Sequence, residues 1–114
     1  MRFLHVMLRV RSLDKAVAFY TQALGMQELR RKDYPEGRFT LCFLGFQPEK
    51  DGTVIELTHN WDKDDYENGT AYGHLAFGVD DLQQAYDHAL AHGGTAPWVS
   101  RGGPFLRCQS PIRR

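Results

Sequence analysis

Residues 53–61, Thr-Val-Ile-Glu-Leu-Thr-His-Asn-Trp, decide how the rest of this chain is interpreted. The β-branched and apolar residues of the stretch are typical of a buried strand, yet Glu56 stands in its middle. An ionised carboxylate inside such a strand is costly unless it is paired, hydrogen-bonded or bound to a metal ion. The stretch therefore predicts a strand that carries a salt-bridged or functional carboxylate.

Two histidines stand in similar surroundings elsewhere in the chain. His5 and His74 each lie within a short apolar segment that predicts a strand. A lone strand histidine is more often a core or surface group than a ligand. Because three metal-capable side chains share this context, His5, Glu56 and His74 together predict a metal site.

Length and composition predict one ordinary domain. The 114 residues are 42% hydrophobic and 25% charged, with a formal net charge of zero. The sequence has no apolar run of membrane-spanning length, no signal peptide and no basic stripe, so we expect neither membrane nor nucleic-acid binding. Two cysteines, Cys42 and Cys108, form no C-x-x-C pair, which favours a reducing cytoplasm.

The hydrophobic pattern predicts an α+β fold built from two related modules. Alternation predicts a first strand with one apolar face and with His5, Met7 and Arg9 on the other face. Capping and turn residues then predict a helix capped by Ser12 and ended by Gly25, three strands, and later a second helix capped by Asp80 or Asp81. The predicted divisions are a first βαβββ module at 1–59, an acidic linker at 60–70, a second strand and helix at 71–94, and a basic tail at 95–114.

An internal repeat relates the two modules. A shift of 69 residues lays Val10 on Val79 and Gly25 on Gly94, and the same shift lays His5 on His74. A counterpart of Glu56 is then expected near position 125, but the sequence ends at Arg114. The second module is therefore predicted to be incomplete.

The tail from Thr95 onward differs from the rest of the chain. It has no Asp or Glu, but four Arg and three of the five prolines. Its apolar residues are too sparse to predict strands (Trp98, Val99, Phe105 and Leu106). We therefore predict a tail without strands, and expect a truncation or a change of reading frame near Gly94.

Residues 1–94 resemble bacterial glyoxalase I (lactoylglutathione lyase), of the vicinal-oxygen-chelate superfamily. The resemblance is carried by four segments: 4–10, Leu-His-Val-Met-Leu-Arg-Val; 19–26, with Phe-Tyr and Leu-Gly-Met; 54–61, Val-Ile-Glu-Leu-Thr-His-Asn-Trp; and 69–74, ending in Tyr-Gly-His. It implies a homodimer of paired βαβββ modules with active sites between subunits. The family's Asp-Pro-Asp-Gly turn and final Glu-bearing strand are absent here.

The resemblance also implies roles for individual residues. His5 and Glu56 match metal ligands, and a third ligand matches His74 of the partner chain, while Arg9 and Asn60 match positions that hold glutathione. The implied metal is Ni²⁺, with Zn²⁺ or Co²⁺ as alternatives. The implied reaction isomerises the hemithioacetal of methylglyoxal and glutathione to S-lactoylglutathione.

That chemistry suits the residue types. A divalent metal stabilises the charge that develops when a proton leaves a carbon beside a carbonyl, and a carboxylate such as Glu56 can move the proton. Because the second glutamate of the family is absent, we expect this chain to be poorly active.

Other interpretations of the same residues remain open. Glu56 could be a structural carboxylate paired with Arg9, and Asn60 a turn residue. Two histidines and a carboxylate also form the ligand set of Fe(II) extradiol dioxygenases. A non-catalytic binding module of the same fold is a third possibility.

Overall fold

The fold combines two β-sheets with two α-helices and a π-helical segment in a computed structural model. The structure describes residues 1–95, 99–103 and 105–108. In these ranges the strands are β1 His5–Arg9, β2 Gln27–Tyr34, β3 Phe39–Gly45, β4 Val54–Asn60, β5 Leu75–Gly78, β6 Val99–Gly102 and β7 Phe105–Cys108. The helices are α1 Leu13–Ala18, which continues as a π-helical segment Phe19–Ala23, and α2 Leu82–Ala91.

The first unit (residues 5–60) has the predicted βαβββ order. Its sheet runs β1-β4-β3-β2, with β1 parallel to β4 and the other neighbours antiparallel. The parallel pair needs a crossover connection, which the helical segment 13–23 supplies. The α+β fold and its first module are thus confirmed.

Alternation separates a core side from an open side of this sheet. On the core side, Leu8 pairs with Leu57, which pairs with Cys42, and all three are buried. On the open side, Met7, Glu56, Phe43 and Arg30 form one row across all four strands. The predicted faces of β1 are therefore correct.

The repeat is confirmed at the start of both helices. Ser12 caps α1 by accepting a hydrogen bond from the Lys15 amide, and Asp81, 69 residues later, caps α2 by accepting one from the Gln84 amide. Both caps satisfy an amide that the helix itself leaves unpaired.

The prediction of a tail without strands is wrong. Residues 99–102 and 105–108 form β6 and β7, and Gly103, at φ +63°, lies in the turn between them. Leu106 and Cys108 are buried, whereas Phe105 and Arg107 are half-buried, so alternation is present over too short a stretch to be recognised. Trp98 lies outside the described residues.

The second unit (residues 75–108) packs on the first through a shared core. Its sheet has the order β5-β7-β6, and Ala89, Val99 and Leu106 belong to the same buried cluster as the core of the first unit. The side chain of His88 also places Nε2 2.9 Å from the carbonyl oxygen of Gln22. Among the described residues, no helix has the length and apolar character needed to span a membrane.

Candidate functional site

The open side of the first sheet brings His5 and Glu56 together. His5 begins β1 and Glu56 lies at the centre of β4, and Nε2 of the imidazole is 2.9 Å from Oε2 of the carboxylate. The Glu56 side chain is 14% exposed and that of His5 is 39% exposed. The carboxylate that the sequence analysis found costly is therefore paired with a histidine, and Arg9 is not its counter-ion.

An aromatic ring and a second ion pair support this His5–Glu56 pair. The ring of Phe43, buried on β3, meets the His5 imidazole edge to face at 5.7 Å between centroids. The Arg30 guanidinium lies 3.7 Å above the same ring and forms two hydrogen bonds with Glu49, of 2.7 and 3.1 Å. These bonds lower the pKa of Glu49 below its usual value.

His74 does not join this pair within one chain. It was expected inside a strand, but it lies one residue before β5 and is exposed. No cluster of three His, Cys, Asp or Glu side chains suited to one metal ion occurs among the described residues. A single chain therefore presents two candidate ligands, an imidazole nitrogen and a carboxylate oxygen, which is a donor pair that first-row divalent metals accept.

Arg9 and Asn60 line a groove on the same side of the sheet. The groove has a volume of about 870 Å³ and is walled by β1, the end of β4, the turn before β3 and the linker. Its lining residues are Arg9, Glu36, Gly37, Arg38, Asn60, Asp62, Lys63, Asp65, Tyr66 and Glu67. A smaller recess of about 230 Å³ continues from it toward Met7, whose neighbour on β4 is Glu56.

Within the described ranges, the Arg9 guanidinium has neither an ion pair nor a hydrogen bond. It borders both the groove and the recess, two residues along β1 from Met7. An unpaired guanidinium in a concave surface is suited to bind a carboxylate of a ligand.

The sequence analysis missed Arg38, which forms the opposite rim of the groove. Arg38 has φ +55°, an uncommon value for a residue other than glycine, and its guanidinium makes two hydrogen bonds to Asp62 of 2.6 and 2.7 Å. The Trp61 amide donates to the Arg38 carbonyl oxygen, which fixes the turn against the end of β4. Trp61 itself closes the edge of the sheet, because its indole nitrogen donates to Thr40 Oγ1 at 2.9 Å.

Cys42 and the remaining histidines lie apart from this face. Cys42 pairs with Leu57 on the core side of the sheet, opposite to the side that carries Glu56. Cys42 is fully buried, as expected for a small apolar residue, and burial raises the pKa of its thiol to about 11. His59 alternates with Glu56 to the core side of β4, while His88 and His92 lie at the C-terminal end of α2.

Comparisons with known protein families and with individual relatives all match this chain to the same superfamily. The family model of the Glyoxalase/Bleomycin resistance protein/Dioxygenase superfamily matches residues 2–97. A lactoylglutathione lyase of Neisseria meningitidis is 55% identical over 105 residues, which is 92% of this chain and 75% of that protein. A probable lactoylglutathione lyase of Vibrio cholerae is 54% identical over 105 residues, covering 90% of this chain and 76% of that protein.

Solved structures give the same result. A point variant of glyoxalase I from Zea mays matches 97% of this chain with a TM-score of 0.86 and 34% identity, and the match spans 41% of the maize chain. The trypanothione-dependent glyoxalase I of Leishmania major matches 99% of this chain and 88% of its own, with a TM-score of 0.78 and 34% identity.

Proposed function

Because the chain belongs to the Glyoxalase/Bleomycin resistance protein/Dioxygenase superfamily, we propose that it acts as a lactoylglutathione lyase. The reaction converts the hemithioacetal of methylglyoxal and glutathione to S-lactoylglutathione. The names of relatives more than half identical favour this activity over an extradiol dioxygenase. The observation that carries the proposal is the His5–Glu56 pair beside a groove that contains the unpaired Arg9.

The dimensions of the open face suit a short peptide. Arg9 lies two residues along β1 from Met7, the neighbour of Glu56, which corresponds to about 7 Å at roughly 3.3 Å per residue. An extended tripeptide spans about 10 Å, so a thiol on its central residue can lie near Glu56 while a terminal carboxylate reaches the Arg9 side chain. Glutathione, with two carboxylates and a thiol, has this length and these groups.

His5 and Glu56 offer the nitrogen and oxygen donors expected for a divalent metal such as Ni²⁺, Zn²⁺ or Co²⁺. We propose Ni²⁺ because the resemblance to the bacterial family implies it, with Zn²⁺ or Co²⁺ as alternatives. When bound, such a metal supplies Lewis-acid stabilisation of the negative charge that develops on the substrate oxygens. We assign His5, Glu56 and His74 as the ligands.

Glu56 is also the residue that we propose moves the proton. Its Oε2 atom lies on the open side, where it can take a proton from the carbon beside the substrate carbonyl and return it to the neighbouring carbon. The low exposure of the Glu56 side chain limits competition from water for that proton.

The third ligand requires a second copy of the chain, so we propose a homodimer in which His74 of one copy completes the site of the other. The free edge of β1 and the exposed side chains of Phe3, Leu4 and Met7 give each copy an apolar surface beside the site. We also propose a cytoplasmic location, since the buried thiol of Cys42 forms no disulfide.

One experiment tests activity and shared sites together. The variants His5→Gln and His74→Gln are each assayed for thioester formation from methylglyoxal and glutathione with Ni²⁺ present, and are then refolded as an equal mixture. Each variant alone should be nearly inactive. In the mixture, half of the dimers should contain one intact site, so about a quarter of the unsubstituted activity should return.

His92→Gln serves as the matched control, because His92 caps the C-terminal end of α2 and lines neither the groove nor the recess. It should leave turnover unchanged. Absence of thioester formation by the unsubstituted chain would contradict the proposed activity, whereas activity without complementation in the mixture would contradict the shared site.

A further inference from the structure

Tyr66 differs in burial from the rest of the linker between the two units. All residues of 61–70 are described, and each except Tyr66 is exposed. Tyr66 turns its ring inward, where it borders both the groove and the recess together with Arg9. Tyr66 is therefore the half-buried side chain of an otherwise exposed linker, and it borders the open face of the sheet.

The hydroxyl of Tyr66 contacts Asn60. Its oxygen lies 3.1 Å from Asn60 Oδ1 and 3.2 Å from the carbonyl oxygen of Lys63, and both atoms accept from the one phenolic proton. The side-chain oxygen of Asn60 is thus already hydrogen-bonded to Tyr66. In the described part of the chain no acceptor contacts the Asn60 amide nitrogen, so its two N–H groups remain available to a ligand in the groove.

We propose that Tyr66 is a positioning residue for the carboxylate-binding part of the groove. Its hydroxyl holds the Asn60 side chain with the amide donors available to the ligand, and it fixes the linker at Lys63 as a wall of the site. This inference rests on the proposed function, because it concerns the residue that we assign to glutathione binding.

A double-mutant cycle on ligand binding tests the inference without turnover. S-hexylglutathione is titrated calorimetrically into the unsubstituted chain, Tyr66→Phe, Asn60→Ala and the double variant. Loss of one hydrogen bond should raise the Kd of Tyr66→Phe about three- to tenfold. Because Tyr66 acts through Asn60, the double variant should bind no more weakly than Asn60→Ala alone.

Asn60→Asp sharpens the same test. An aspartate at this position still accepts the phenolic proton but offers no donors, so its Kd should rise at least as much as that of Asn60→Ala. Tyr34→Phe is the matched control, since the Tyr34 ring stacks on Phe39 away from the groove, and its Kd should stay within about twofold. Additive effects of Tyr66→Phe and Asn60→Ala, or an unchanged Kd in Tyr66→Phe, would overturn the proposal.

Trypsin provides a readout that does not depend on any ligand. The Lys63 carbonyl belongs to the peptide bond that trypsin cleaves, and Tyr66 holds that carbonyl. Cleavage after Lys63 should be several-fold faster in Tyr66→Phe than in Tyr34→Phe. If the unsubstituted chain fails to bind S-hexylglutathione, the proposed function fails, and an unchanged cleavage rate in Tyr66→Phe would separately overturn the role of Tyr66 in the linker.

Discussion

The first unit (5–60) and the second unit (75–108) begin alike and end differently. Each unit opens with a strand that has a histidine at or just before its first residue: His5 begins β1, and His74 comes directly before β5. Each strand is followed by a capped helix. In the first unit β1 pairs in parallel with β4, which carries Glu56 opposite Met7. In the second, β5 pairs antiparallel with β7, whose residues are Phe105, Leu106, Arg107 and Cys108.

This difference explains why the candidate site belongs to the first unit. Glu56 lies beside His5 because the central strand β4 pairs with the histidine-bearing strand β1. In the part of the chain that the structure describes, His74 joins no cluster of candidate metal ligands. Its proposed role as a ligand is therefore toward the site of another copy.

The largest expected effect concerns the shared core. Leu57 and Leu106 are both fully buried, one in each sheet, and belong to one cluster. Leu57→Ala should lower the free energy of unfolding by about 3 kcal/mol and Leu106→Ala by about 2 kcal/mol. Urea unfolding followed by tryptophan fluorescence and by circular dichroism should give coincident transitions, whereas a separate transition in Leu106→Ala would mean that the units unfold independently.

Gly25 and Gly94 occupy equivalent positions of the repeat, but substituting them should lower the free energy of unfolding by different amounts. Gly25 needs its positive φ of +76°, and a Cβ there would meet open space. In Gly94 an added Cβ would lie 2.6 Å from the Ala89 carbonyl oxygen. We expect Gly94→Ala to cost about 2–3 kcal/mol and Gly25→Ala about 1 kcal/mol.

Substitution by asparagine separates backbone strain at Gly25 from the steric clash at Gly94, because asparagine tolerates positive φ better than alanine does. Thermal unfolding of Gly25→Asn should show part of the stability recovered, while Gly94→Asn should be no more stable than Gly94→Ala. Equal recovery at both positions would show that the two glycines have the same role.

Cys42 should make the stability of the first unit sensitive to alkaline pH. Burial raises the pKa of this thiol from 9.0 to about 11 in the folded chain. Between these values the unfolded chain binds fewer protons than the folded chain, so stability falls as pH rises, by about 2 kcal/mol between pH 8 and 11. Urea titrations at pH 8 and 11 should show this decrease, and Cys42→Ala should show a smaller one; an equal decrease in Cys42→Ala would assign the effect to other groups.

The two helix caps should give the smallest effects. The Asp81 carboxylate accepts from the Gln84 amide at 3.0 Å, while the Ser12 hydroxyl accepts from the Lys15 amide at 3.4 Å. Asp81→Ala should therefore cost about 1 kcal/mol and Ser12→Ala about 0.5 kcal/mol. A larger cost at Ser12, measured by chemical denaturation, would reverse this comparison.

Local pattern was sufficient for the parts of the molecule that depend on short-range rules. The faces of β1, the caps of both helices and the βαβββ order follow from alternation, capping residues and turn glycines. Resemblance to a family implies that Arg9 and Asn60 share a role in holding glutathione, and in the structure both residues line one cavity.

Features that depend on strand register or on long-range contacts could not be predicted in this way. Phe43 and Arg30 lie in one row with Glu56 only because of the register in which β2, β3 and β4 pair. The same register places Cys42 on the core side of the sheet. The strands β6 and β7 have four residues each, too few for a periodic signal, and they are stabilised because β7 pairs with both β5 and β6.

The claim that the site lies on the open face of the first unit is tested most directly by calorimetric titration with Ni²⁺. The unsubstituted chain, Glu56→Gln and Glu28→Gln should be compared, since Glu28 is an exposed carboxylate on β2 that pairs with Arg31. We predict nickel binding that is retained in Glu28→Gln and weakened at least tenfold in Glu56→Gln. Equal nickel affinity and stoichiometry in Glu56→Gln and the unsubstituted chain would contradict the assignment of the metal centre to His5 and Glu56.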